Sequence, residues 1–259
     1  MGESIVQFLE KWSPLDVILI AQNFDRFLWG ALTTLELTIL SLVIGGMLAI
    51  PLAIVRAGNN PFLNAPVWDF TFLFRGTPLL VQTYLIYYGL GQFEWIRETF
   101  LWGPVLSQAW YCALIAFSLN TAAYSAELLR GSIVNTSQGE VEAAKACGFS
   151  NWMRLRRIIL PSAFRRALPA YSNEVIFMLH GSVVASTITI QDLLGVGRWL
   201  NGRYYLAYEG FITAAVLYFI IVLLVSRGFR LWEKHWLAHL YPQEAVKTKP
   251  KKGLASFRI

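Results

Sequence analysis

The sequence is short of charge. Asp, Glu, Lys and Arg make up 15% of its 259 residues, against 56% hydrophobic residues and a mean hydropathy of +0.48. A water-soluble domain of this length needs more charge to cover its surface, so that class is excluded. Cysteine is scarce too. Cys112 lies in an apolar run and Cys147 in a polar one, which argues against a structural disulfide. Three histidines, His180, His235 and His239, form no metal-ligand set. No GxxxxGKS/T phosphate loop is present, so a function that uses ATP needs another chain to bind it. No clustered Ser, Asp and His suggest an intramembrane hydrolase. The opening MGESIVQFLEKWSP lacks the basic stretch and short apolar core of a cleavable signal peptide, and Ser4 comes too early for a myristoylation start.

What the chain does have is long apolar runs. A bilayer core takes about 20 residues of helix. Residues 37–55, 76–93, 99–126 and 210–226 carry no charge, and 175–191 carries only His180. Extended into their flanks, these runs predict an all-α integral membrane protein with about five transmembrane helices, near 28–55, 70–92, 108–129, 170–192 and 209–228. The fourth is the most polar, with Ser182, Ser186, Thr187 and Thr189, as suits a helix facing other helices or a water-filled path. Ten Trp and eleven Tyr suit interfacial belts.

Charge placement orients the spans. Residues 56–75, 130–169 and the tail from Arg227 hold seventeen Lys and Arg, whereas 1–27, 93–107 and 193–208 hold five. This predicts an external N-terminal segment over 1–27, a membrane domain over 28–230, and a cytoplasmic basic tail over 231–259 lying near anionic lipid headgroups. The net charge of +6 does not indicate nucleic acid, because the charges sit between apolar segments and at the C-terminus.

The loop 130–169 carries the most information. Ser137 and Glu140 have capping-box spacing, a helix follows over 141–147, and Gly148 suits its C-terminal stop. Val141, Ala144 and Gly148 would line one narrow side that lets a partner approach closely. Ser150 can cap a second helix, 151–160, which Pro161 would end and which carries Arg154, Arg156 and Arg157. An ordinary amphipathic connector fits the same pattern.

The string itself is more specific. Glu142-Ala143-Ala144, Gly148 after three residues, then Ile158, Leu160 and Pro161 after nine more resemble the EAA loop of permease subunits of bacterial ATP-binding-cassette importers. Phe74-Arg75-Gly76-Thr77-Pro78, Asn120-Thr121-Ala122-Ala123-Tyr124 with Glu127, and Ala170-Tyr171-Ser172-Asn173-Glu174-Val175 resemble the polar amino acid branch, most of all M-type subunits for histidine, lysine, arginine and ornithine and those for opines. The likeness spans about residues 28–230. It implies a type I importer permease fold in the bacterial inner membrane, with no cofactor on this chain. It also implies a homologous second permease subunit, two ATPase subunits binding ATP and Mg, and a periplasmic amino acid-binding protein. Glu142 to Gly148 would form the coupling helix in an ATPase cleft. Cys147 stands where the family often has Leu, a minor departure since Cys behaves as a small hydrophobe.

Ionisable groups at membrane depth are functional candidates. Asn120, Tyr124 and Glu127 share one stripe of the third span. Glu174 and Met178 share a face of the fourth with Gly181 and Ala185, and Asn173, Phe177 and His180 share the next. Glu127 or Glu174, helped by Asn120, would counter a cationic amino acid. Alternatively, Arg75 pairs with Glu127 or Glu174 to staple helices or close an inner gate. Glu36 would pair with Arg26 or face the second subunit, and His180 would be a packing residue. Gly45-Gly46 and Pro51 suggest a kink or close packing. A secondary transporter or channel is the competing class, against which stand the absence of an internal repeat and an odd number of spans.

Overall fold

A computed structural model describes residues 17–236. Residues 1–16 of the expected external segment, and the tail beyond Trp236, lie outside the described residues, and with them the expected headgroup contact of the tail. The described chain is all-α. In order it comprises α1 (Val17–Gln22), α2 (Phe24–Ala57), α3 (Pro61–Gly76), α4 (Leu79–Tyr84), α5 (Glu94–Arg97), α6 (Ala109–Val134), α7 (Gln138–Ala146), α8 (Asn151–Arg154), α9 (Leu160–Gly181), α10 (Leu193–Tyr204) and α11 (Ala207–Trp236), with short π and 3-10 turns between several of them.

Among the described residues, four helical runs are long and apolar enough to cross a membrane: α2, α6, the run Asn151–Tyr204 that contains α9, and α11 to Glu233. The span expected near 70–92 is helical but divided. α3 ends at Gly76, Thr77 is extended (φ −113°, ψ 144°), and α4 begins after Pro78. Proline clashes with a helical residue before it, so Thr77 leaves the helix. α4 then runs into a π turn (Leu85–Gly89) and a 3-10 turn (Leu90–Gln92).

α2 and α6 form the spine. A Cβ on Gly45 would come within 2.7 Å of the Ser118 carbonyl oxygen, so α2 lies against α6 at backbone distance. Small residues permit this approach, as the sequence suggested. Phe117, Leu37, Met178 and Ile188 bury the core between α2, α6 and α9. Phe27, Leu193, Val196 and Leu200 build a second core that holds α10 against α2 and α11.

Several expectations are corrected. Pro161 does not end its helix. The chain stays helical from Asn151 through Gly181, because Leu155–Ile159 adopts a π turn that absorbs the missing N–H and ring clash. The fourth span therefore starts near Leu160 and ends in a 3-10 segment, Ser182–Ile188, closed by Thr189 at φ 72°. Arg26 stacks on Trp199 at 4.1 Å and makes no ion pair with Glu36, which is exposed on α2. His180 faces outward rather than packing in the core.

Candidate functional site

The break between α3 and α4 sets a chemical problem. Carbonyls freed inside a membrane domain need donors, since no water reaches them in lipid. Side chains supply these donors. Gln82 Nε2 donates to the Phe74 carbonyl (2.7 Å), the Thr77 carbonyl (2.9 Å) and the Thr77 hydroxyl (2.8 Å). Asn120 Nδ2 donates to the Phe74 carbonyl (3.2 Å) and to Gln82 Oε1 (3.0 Å). The Tyr124 hydroxyl donates to the Arg75 carbonyl (3.2 Å) and the Thr77 hydroxyl to the Leu73 carbonyl (2.8 Å). The last turn of α3 is thus held open by α4 and α6.

Opening that turn leaves a cavity of about 530 Å³ beside it. Arg75, Thr77, Asn120, Tyr124, Glu174 and Phe177 are among its lining residues. Glu174 is 8% exposed, while the Arg75 guanidinium sits over the Tyr124 ring at 5.4 Å. They form no ion pair with each other: the two ion pairs among the described residues both belong to Glu127. A carboxyl group and a guanidinium thus line one cavity, within range of each other's field but without direct contact. Such a pair can hold the two ends of a zwitterion.

Glu127 is elsewhere. Its Oε1 accepts from Arg56 Nε at 2.7 Å and from the Thr71 hydroxyl at 3.2 Å, and its Oε2 accepts from Arg130 Nε at 2.7 Å. Arg56 also bonds the Asn64 side chain. The expected Arg75–Glu127 pair is not formed, and Glu127 does not line the cavity. Its carboxylate is saturated by a clamp that joins the end of α2 to α3 and α6.

The loop between α6 and α9 holds the second candidate site. α7 covers the Glu142-Ala143-Ala144 string, and its end is a Schellman motif. Gly148 sits at φ 78°, its N–H bonds the Lys145 carbonyl (2.9 Å), and Phe149 N–H bonds the Ala144 carbonyl (3.0 Å). Ser150 caps the next helix by accepting from Met153 N–H at 3.3 Å. Ser137 occupies the N-cap position of α7, but its hydroxyl makes no cap bond, so the expected capping box is absent. The exposed side also differs from the expected one. Ala144 is buried against the rest of the chain, while Gly139, Glu142, Ala143 and Ala146 face outward. Ile158, Leu160 and Pro161 are half-buried where the loop enters α9.

Three residues in these networks escaped the sequence reading. Gln82 stood in a charge-free run, where a lone amide was a usable signal. Arg56 counted only toward the charge placement between spans. Asp192 is fully buried, caps Gly195 N–H at 2.8 Å and accepts from the Tyr218 hydroxyl at 3.1 Å, tying α10 to α11.

A helical membrane domain with a broken span over a polar cavity, and an exposed helical loop at one end, defines a solute-translocating membrane subunit. A family model for the binding-protein-dependent transport system inner membrane component matches residues 42–236, and the chain belongs to that family. It is 46% identical to the histidine/lysine/arginine/ornithine transport system permease protein HisM of Escherichia coli, over 90% of this chain and 96% of that protein. It is 44% identical to the octopine transport system permease protein OccM of Rhizobium radiobacter, over 85% and 89%. Among solved structures, an amino acid ABC transporter crystallised with histidines superposes at a TM-score of 0.76 and 31% identity, covering 85% of this chain and 99% of that one. The chain is therefore a multi-pass inner-membrane permease subunit of an ABC importer, and ATP hydrolysis is the work of other subunits.

Proposed function

We propose that the permease carries cationic and other polar amino acids, of the histidine, lysine, arginine, ornithine or octopine class, through the Arg75–Glu174 cavity. The observation that supports this reading is that Arg75 and Glu174 line one cavity without a direct ion pair between them. Arg75 would receive the solute carboxylate by a bidentate contact, and Glu174 an ammonium or guanidinium. Burying either solute charge without such a partner is too costly. A cavity of about 530 Å³ lies in the usual range for small-ligand sites. Asn120 shapes the path by holding the α3–α4 break, and Glu127 with Arg56 and Arg130 fixes the helix ends around it.

The same reading assigns Glu142, Ala143 and Ala146 to contact with an ATPase subunit, with Ala144 and Gly148 shaping the helix that presents them. Ile158, Leu160 and Pro161 carry the movement of α7 into α9. The importer would hold a homologous second permease subunit, two ATPase subunits and a periplasmic amino acid-binding protein, with the loop and C-terminus in the cytoplasm. The residue domains are 1–27 outside, 28–230 in the membrane and 231–259 as a basic tail.

Uptake by the reconstituted complex tests the cavity. Glu174→Gln should raise KM for arginine or lysine by roughly 10- to 100-fold, the value of one charged hydrogen bond. Arg75→Gln should weaken uptake of every amino acid. Unchanged KM in both variants would remove the assignment.

A further inference from the structure

A second and larger cavity, about 760 Å³, lies between α2, α6, α9 and α11 and shares no lining residue with the first. It is a groove open on the flank of the spanning helices. Its walls are apolar: Leu42, Met47 and Ile50 from α2, Leu128 from α6, and Phe164 from α9. Met47 is 67% exposed, so this wall faces out of the chain. From Ile50 to Leu42 the groove follows α2 for about 12 Å at the helical rise, within the thickness of one leaflet.

One cation stands at its mouth. Arg165 lines the groove, is exposed, and takes part in no ion pair among the described residues. Its neighbour Arg166 shows the contrast. Arg166 turns inward and donates to the Ser162 hydroxyl (2.6 Å), the Ser132 carbonyl (3.0 Å) and the Thr136 hydroxyl (2.7 Å). Those partners put this turn of α9 level with the end of α6, where the spans meet the loop. Trp232, near the end of α11, also lines the groove, and Arg227 and Arg230 flank it on that helix against a single acid, Glu233. Aromatic and basic side chains at this level mark the headgroup layer.

We propose that this groove is a site for an anionic phospholipid, with an acyl chain along α2 and the phosphate held by Arg165. An apolar groove open to the bilayer is filled by hydrocarbon. A guanidinium at its headgroup end selects a phosphodiester by a forked pair of donors. Basic pockets between spans at the cytoplasmic side recognise anionic headgroups in this way. The net negative lipid supplies the charge that the groove lacks, whereas zwitterionic lipid brings its own cation to Arg165.

The assembled importer, in nanodiscs containing phosphatidylglycerol or phosphatidylcholine with the same photoreactive acyl chain, tests this site. Cross-linking to the peptides bearing Met47 and Phe164 should be roughly fivefold stronger for phosphatidylglycerol, the factor set by one cation at an anionic surface. Arg165→Gln should abolish that preference while hydrocarbon labelling persists. Arg156→Gln, an exposed cation away from the groove, should keep it. Equal labelling by both lipids in the unaltered complex, or an unchanged preference in Arg165→Gln, overturns the site. Cross-links from Met47 to the second permease subunit or to the terminal residues of this chain, in place of lipid, overturn it equally.

Discussion

Glu127 and Glu174 lie on the neighbouring helices α6 and α9, yet their surroundings separate them. Glu127 has three donors on two oxygens and joins α2, α3 and α6. Glu127→Gln should destabilise the helix ends by about 3 kcal/mol, the low end for breaking a buried pair. Thermal unfolding of the purified complex should report that loss, with KM for solute unchanged. A raised KM without loss of stability would return Glu127 to the solute path. Gln82 makes the opposite case, of a neutral residue with a structural task. Gln82→Leu keeps the apolar volume but strips the Thr77 carbonyl of its donor, and it should cost about 1–3 kcal/mol. The same unfolding measurement checks it, and basal ATP hydrolysis by the complex should fall with the folded fraction.

At the scale of elements, α7 depends on its C-terminal turn. Gly148 holds φ 78°, and a Cβ there meets nothing within 4 Å in this chain. Gly148→Ala should therefore cost about 1 kcal/mol through backbone strain alone, while Gly148→Asn, which tolerates the left-handed region, should cost less. A fall in ATPase binding that follows this order points to the helix end. Ala143→Asp separates shape from contact, because Ala143 is exposed and leaves the Schellman motif intact. It should abolish ATPase co-purification without reducing membrane insertion. The buried Ala144→Asp, by contrast, should lower the amount of folded permease itself. Retained ATPase binding in Ala143→Asp would move the docking face elsewhere.

For the whole molecule, the native cysteines report topology. Cys147 is exposed just after α7 and Cys112 is buried in α6. A membrane-impermeant maleimide should modify Cys147 in inside-out vesicles stripped of ATPase, spare it in intact cells, and leave Cys112 unmodified in both. Rebinding the ATPase should protect Cys147. Modification in intact cells would invert the orientation drawn from the Lys and Arg distribution.

Much of this protein was legible before any coordinates. Charge-free runs of about 20 residues specify membrane helices, because hydrocarbon tolerates neither charge nor unpaired backbone groups. Local chemistry also carried far: Gly148 stops α7 and Ser150 caps α8 because those bonds span only a few residues. The Glu142-Ala143-Ala144 string and its spacing named the family. Pairing between distant segments came from the packed fold. Arg56 and Glu127 are 71 residues apart, and Asn120 reaches back 46 residues to the Phe74 carbonyl. No periodicity encodes which of several acids meets which arginine, since that depends on helix rotation and on where a span breaks. The break at Pro78 turned a predicted continuous helix into two and opened the cavity beside it. The π turn before Pro161 did the reverse, joining what local rules would have divided. Sequence determined which segments are apolar enough to enter the membrane and which family the chain belongs to. Packing determined that Glu174, and not Glu127, shares a cavity with Arg75.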